Sequence, residues 1–129
     1  MSLNDSSVSV MLPISEPDRA QKFYTDQLGL PYQGTNPEGS LMYGLSGGSQ
    51  LVLLPRPDEK PLGSTAMSFE VDNLEKEIAD LEKRGVHFED YDLPEMKTEG
   101  HIASMGDERA AWFLDPDGNV LCLHEGGSA

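Results

Sequence analysis

Basic residues are scarce in this chain. Its 129 residues include nine Lys or Arg against 23 Asp or Glu, a formal charge of −14. That balance argues against a nucleic-acid partner, because neutralising phosphates takes cationic surface, and it equally disfavours an anionic membrane surface. A large negative excess serves solubility first. Cysteine is almost missing: Cys122 stands alone, so no intrachain disulfide forms and a reducing, cytoplasmic setting is expected. No apolar run approaches the roughly 18 residues of a membrane span. The opening MSLNDSSVSV lacks the basic and apolar regions of a signal peptide. No glycine-rich phosphate loop stands in the strand–helix setting a nucleotide enzyme needs.

What is present is a pattern that occurs twice. Residues 8–14 (VSVMLPI) alternate like a strand. A helix is expected next, with Ser15 as N-cap, Pro17 in the first turn, Ala20, Phe23, Tyr24 and Leu28 at helical spacing, and Gly29 as the stop. Strands are expected over 30–33, over LMYGL (41–45) and, after a GlyGly turn, over SQLVLL (49–54). The proline-rich PRPDEKPLGS is a linker. The order then restarts. AMSFEV (66–71) alternates; DNLEKEIADLEKRG forms a helix with Asp72 near the cap, Leu74, Ile78 and Leu81 on one stripe and Gly85 as the stop; VHFEDY (86–91) resumes as a strand; RAAWFL and NVLCLHE close as a hairpin around DPDG. Leu12 to Phe69 and Ile14 to Val71 are each separated by 57 residues, and Gly29 to Gly85 by 56. The pattern predicts an α+β fold of two tandem βαβββ units, 8–62 and 63–126, forming an open, trough-like sheet with helices outside, and loose tails at 1–7 and 127–129.

Three segments carry a family resemblance: PDRAQKFYTDQLGLPY (17–32), AMSFEVDNLEKEIADLEKRGVHF (66–88) and AWFLDPDGNVLCLHE (111–125). Together they resemble the vicinal oxygen chelate superfamily, which includes glyoxalase I, bleomycin-resistance proteins and extradiol dioxygenases. The resemblance covers roughly residues 8–125. It implies a homodimer and, in metal-dependent members, ligands (His, Glu or Gln) on the first and last strands of each unit. Carried onto this chain, those places fall on Ser9, Ala66, Cys122 and Val52, with Leu51 or Leu53 in place of Val52 if the strand face is misjudged by one. Serine, alanine, cysteine and valine do not make a divalent site: zinc takes three or four strong donors and hard cations take several oxygens. The resemblance therefore implies a member without metal or other cofactor.

Among side chains that bear chemistry, Cys122 reads first as a small buried hydrophobe and second as a thiol lining the trough. His124 shares its strand face about 6.5–7 Å along, too far for a direct Cys–His pair. His101 and His124 are the weak acid–base candidates, with Glu70 on the face of Ala66 and Ser68; His87 ranks lower. Met11, Met42, Tyr43, Met105 and one of Trp112 and Phe113 are candidates to line the pocket, since alternation forbids both of the last two. The expected ligand contacts are Ser9, Met11, Val52, Ala66, Ser68, Trp112, Cys122 and His124. Asp115–Asn119 is a tight turn and is given no chemistry. Two readings compete. One is a glyoxalase/bleomycin-resistance-like protein holding a small aromatic or amphipathic molecule without turnover. The other is an enzyme (lyase, isomerase or dioxygenase-like) that uses His and Glu acid–base groups or a metal site elsewhere.

Overall fold

The computed structural model describes residues 2–126; Met1 and the tail expected at 127–129 lie outside the described residues. Leu3–Asp5 form one exposed 3-10 turn ahead of the first strand. The chain divides between Pro61 and Leu62 into two compact units.

In the first unit, strand β1 (Ser9–Ile14) leads into helix α1 (Pro17–Lys22) and then β2 (Tyr32–Thr35), β3 (Leu41–Gly44) and β4 (Gln50–Pro55). The sheet order is β1-β4-β3-β2, with β1 and β4 parallel. Alternation sorts its residues. Leu12, Ile14, Leu51, Leu53, Leu41 and Tyr43 fall on one parity and pack with Ala20, Phe23 and Tyr24, all nearly inaccessible to solvent. Each such side chain contributes about 1.5–3 kcal/mol of burial. The helix begins one residue later than the sequence predicts: Glu16 is the N-cap, no side chain caps it, and Pro17 supplies the first helical φ. Ser15 instead accepts a hydrogen bond from Arg19. Beyond Lys22 the helix widens into a π-turn over Phe23–Gln27. The buried Tyr43 hydroxyl lies beneath this stretch, 2.9 Å from Thr25 Oγ1 and donating to the Gln21 carbonyl at 3.4 Å. Gly29, at φ 71°, ends the segment as expected.

The second unit has strand β5 (Thr65–Glu70), helix α2 (Leu74–Lys83), then β6 (Asp92–Leu93), β7 (Met96–Glu99), β8 (Ile102–Met105), β9 (Glu108–Leu114) and β10 (Val120–Gly126). The order β5-β10-β9-β8-β7-β6 repeats the first unit's parallel pairing of first and last strands. Leu74, Ile78 and Leu81 are buried as their spacing predicts, with α2 lying against β9 and β10. The cap is Asn73, next to Asp72: the Asn73 side chain accepts from the Lys76 N–H at 3.1 Å. The expected strand over 86–91 shrinks to a bridge between Phe88 and Phe113 and one bond from Glu89 N–H to the Trp112 carbonyl. Its place along β9 is taken by a meander, β6 to β8, in a stretch to which the repeat pattern assigns no element. Each unit is thus a mixed α+β layer, an open sheet with one helix on one face and the other face free of helix.

Candidate functional site

The expected contact residues fall on the helix-free faces by strand register. In the first unit β1 and β4 pair Ser9 with Gln50, Met11 with Val52 and Pro13 with Leu54, and β3 sets Met42 beside Val52. Paired residues share a face. Ser9 and Met11 are exposed, while Val52 is buried. Tyr43 is on the opposite, helix-bearing face, so it lines no pocket on this side. The same parity puts Leu51 and Leu53 in the core, so of these three candidates Val52 is the one on Met11's face.

In the second unit the helix-free face is built by β5, β10, β9 and β8. Cys122 stands between Ser68 and Trp112, and His124 between Glu70 and Ala110. A bulge in β5 skips Ala66, which is exposed. Trp112 takes the helix-free parity; Phe113 is fully buried on the other face, at 5.3 Å from Phe88. Tyr91, a residue the sequence reading passed over, meets Trp112 edge to face with ring centroids 5.7 Å apart. The Trp112 indole N–H donates to Thr65 Oγ1 at 3.1 Å. Leu114 and Met105 add exposed apolar surface on the same face. This face therefore presents an aromatic pair, a thioether and small residues.

Cys122 is buried, and burial pushes its thiol pKa up against the opposing hydrogen bond from Ser68. Its Sγ points at the Leu123 carbonyl, 3.4 Å away. A raised thiol is a weak nucleophile at neutral pH. Both ring nitrogens of His124 are engaged: Nδ1 lies 2.6 Å from Glu70 Oε1 and Nε2 2.8 Å from Glu108 Oε1. Those two carboxylates, Glu70 first, raise its pKa. His101 does not join it. It occupies the β7–β8 turn at φ 74° and reaches Asp90 at 3.1 Å and Glu82 of α2 at 3.3 Å, on the helix-bearing side. His87 is exposed.

The four places that the family resemblance singles out carry a serine hydroxyl, a buried valine, an alanine methyl and a buried thiol. This donor set does not fit a divalent metal. Among the described residues no three of His, Cys, Asp and Glu gather around one point; Glu70 and Glu108 sit on opposite edges of the His124 ring rather than converging.

On the helix-bearing side, Arg109 pairs with both oxygens of Glu75 and with Glu125, while Glu125 Oε2 accepts the Leu74 N–H at 2.8 Å and so caps α2. The Arg109 hydrogen bonds hold the Glu75 pKa at about 2. The Leu74 N–H and then Arg109 lower Glu125. At the closing hairpin Asp115, itself buried, accepts from the backbone N–H groups of Asp117 and Asn119 and from the Asn119 side chain. The turn is structural, as its residue types indicate.

Each unit pairs its first and last strands in parallel and carries one helix on one face of an open sheet, which defines the class of fold. The sequence profile of the Glyoxalase/Bleomycin resistance protein/Dioxygenase superfamily matches residues 7–123, and the chain belongs to that superfamily. Solved structures agree. TnmS3, described as an antibiotic binding protein from Streptomyces sp. CB03234, is 25% identical with a TM-score of 0.72, covering 95% of this chain and 96% of its own. A glyoxalase/bleomycin resistance protein from the same Streptomyces strain is 27% identical, with a TM-score of 0.66 over 92% and 98%. A superfamily member from Sphaerobacter thermophilus DSM 20745 is 26% identical, with a TM-score of 0.72 over 94% and 97%. No protein of curated function matches the sequence significantly.

Proposed function

We propose that this protein binds a small aromatic or amphipathic molecule on its helix-free faces, without a catalytic metal and without turning it over. The observation that carries the reading is the Tyr91–Trp112 pair standing beside Cys122, one of the four places where the resemblance expects a metal ligand. Aromatic side chains next to thioethers and small residues suit a planar apolar ligand. The likeness to an antibiotic binding protein over nearly the whole chain supports the same kind of activity. Ala66, Ser68, Trp112, Cys122 and His124 are the proposed contacts on the second unit's face and Ser9, Met11 and Val52 those on the first unit's face, in a cytoplasmic homodimer. Acid–base catalysis is the weaker reading, because the ring nitrogens of His124 and His101 are already committed to carboxylates.

Trp112 is the chain's only tryptophan, so its fluorescence reports on the site directly. Titration with a panel of planar aromatic antibiotics is expected to quench it saturably at one molecule per chain, with every compound recovered unchanged by mass spectrometry. Trp112→Ala is expected to weaken binding about tenfold or more, the loss of a central aromatic anchor. Elemental mass spectrometry after equilibration with Zn, Ni, Mn, Fe(II) and Co is expected to find well below about 0.1 equivalent of each, far short of a three- or four-donor site. Chemical conversion of the ligand, or near-stoichiometric metal, overturns the proposal.

A further inference from the structure

We infer that His124 is a positioning residue that sets the charge of the binding face, tying both Glu70 and Glu108 to its ring when doubly protonated and releasing one of them when it is not. The inference rests on the binding face proposed above. Its physical basis is proton counting. A neutral imidazole has one N–H donor and one bare acceptor nitrogen, whereas an ionised carboxylate only accepts. Carboxylate oxygens stand 2.6 and 2.8 Å from the two nitrogens of this one ring. Only the imidazolium satisfies both, and distances so short are those of charge-assisted bonds.

The arrangement is a product of strand register. β10 runs between β5 and β9, so His124 has Glu70 across one edge and, past the small Ala110, Glu108 across the other. The ring is sheltered, with 22% of its side chain exposed against 70% for Glu70 and 48% for Glu108. The groups facing it are therefore Glu70 from β5, Glu108 from β9 and, two residues back on β10, the Cys122 thiol. Arg109, Glu125 and the Glu75 of α2 face the opposite side of the sheet. Protonated, the trio carries −1. Deprotonated, it carries −2, and one carboxylate meets a lone pair and swings away. The two carboxylates raise the ring's pKa above its ordinary 6.5. The tie is accordingly complete below that ordinary value and is lost as pH rises through the higher folded one.

Two probes of opposite charge read this state. The dissociation constant of anilinonaphthalene sulfonate, an anionic aromatic, and of thioflavin T, a cationic one, is measured from pH 6 to 9 on the full chain. The ring protonation of His124 is followed in parallel by long-range proton–nitrogen NMR. One added negative charge about 7 Å from the dye is expected to weaken the anion and strengthen the cation about three- to sevenfold across the His124 midpoint. That midpoint should lie above 6.5 and fall in both Glu70→Gln and Glu108→Gln, exposed sites where folding is checked by thermal melting. His124→Gln should flatten both dye profiles. A midpoint unmoved by both carboxylate variants, or an unchanged dye profile in His124→Gln, overturns the inference. If neither dye binds at any pH while the titration behaves as expected, the binding face is refuted and the histidine tie stands.

Discussion

Replacing Asp115 by alanine is a sharp test of how the closing hairpin is held. Asp115 is 4% exposed, and its carboxylate accepts from Asp117 N–H at 2.9 Å, Asn119 N–H at 2.8 Å and Asn119 Nδ2 at 2.7 Å. Asn119 is itself only 2% exposed, so water cannot readily take over as acceptor. Hydrogen bonds to a charged group contribute about 1.5–3 kcal/mol, and a donor left buried without a partner costs a further share. The bonds are coupled, so their sum overstates the loss; about 3–4 kcal/mol is expected for Asp115→Ala. For a chain of this size that lowers the thermal midpoint by roughly 10–15 °C. Asp115→Asn keeps one acceptor oxygen and should lose about half as much. Circular dichroism melts of the three proteins measure both drops. A loss below about 1 kcal/mol for the alanine variant would mean that this turn is held by Gly118 and the backbone, and would refute the carboxylate's role.

Other consequences follow from the same geometry. Glu75 and Glu125 are ionised more readily than an ordinary carboxyl of pKa 4.5, so what they add to stability is full above that value and lost as pH falls through their lowered ones. Arg109→Met removes the common partner, and its acid-unfolding midpoint should move up by about half a pH unit or more; an unchanged midpoint would sink this account. The Cys122 thiol, buried and raised by desolvation, should react with Ellman's reagent at least about 100-fold more slowly in the folded chain than in guanidinium. Equal rates would show that the thiol is open and ionised. Gly126 has φ 87° and an added Cβ would strike the Asp107 carbonyl, so Gly126→Ala should cost about 1–3 kcal/mol in chemical denaturation. At Gly44 the added methyl meets only the movable end of Gln33, and Gly44→Ala should cost less than about 1 kcal/mol; a reversed ranking contradicts the backbone argument.

The repeat was legible because alternation in β1, β4, β5 and β10 is enforced by burial on one face: a strand that must hide Leu12 and Ile14 or Leu121 and Leu123 betrays its period. The meander β6 to β8 was not, because its strands run two to four residues and carry few apolar side chains. A signal was available in the turns. Glu99 pairs with Ile102 and Met105 with Glu108, each across two residues, Gly100-His101 and Gly106-Asp107, with positive φ at Gly100, His101 and Gly106. Glycine pairs of this sort between extended residues mark tight hairpins. The site was half legible. Glu70 and His124 stood out, but their joining to Glu108 depends on strand order and register, which composition and period do not encode. Tyr91 escaped for the same reason: it reaches Trp112 from outside any strand.

That division of legibility reflects a division of labour in the fold. Much of what fixes each unit lies on the helix side: the leucine stripe of α2, the Tyr24–Tyr43 packing over the π-turn, the Arg109 network that caps α2. The helix-free parity carries Ser9, Met11, Ser68, Ala66 and Cys122, whose identities the cores do not require. A serine or an alanine at a place where a relative keeps a metal ligand therefore costs the scaffold little, and activities within such a fold diverge by substitutions on one face of a few strands. His124 is the exception that links the two. It stands on the functional parity, yet its ring joins three strands, so a change there is expected to register in both stability and binding, whereas a change at Ser68 should register in binding alone.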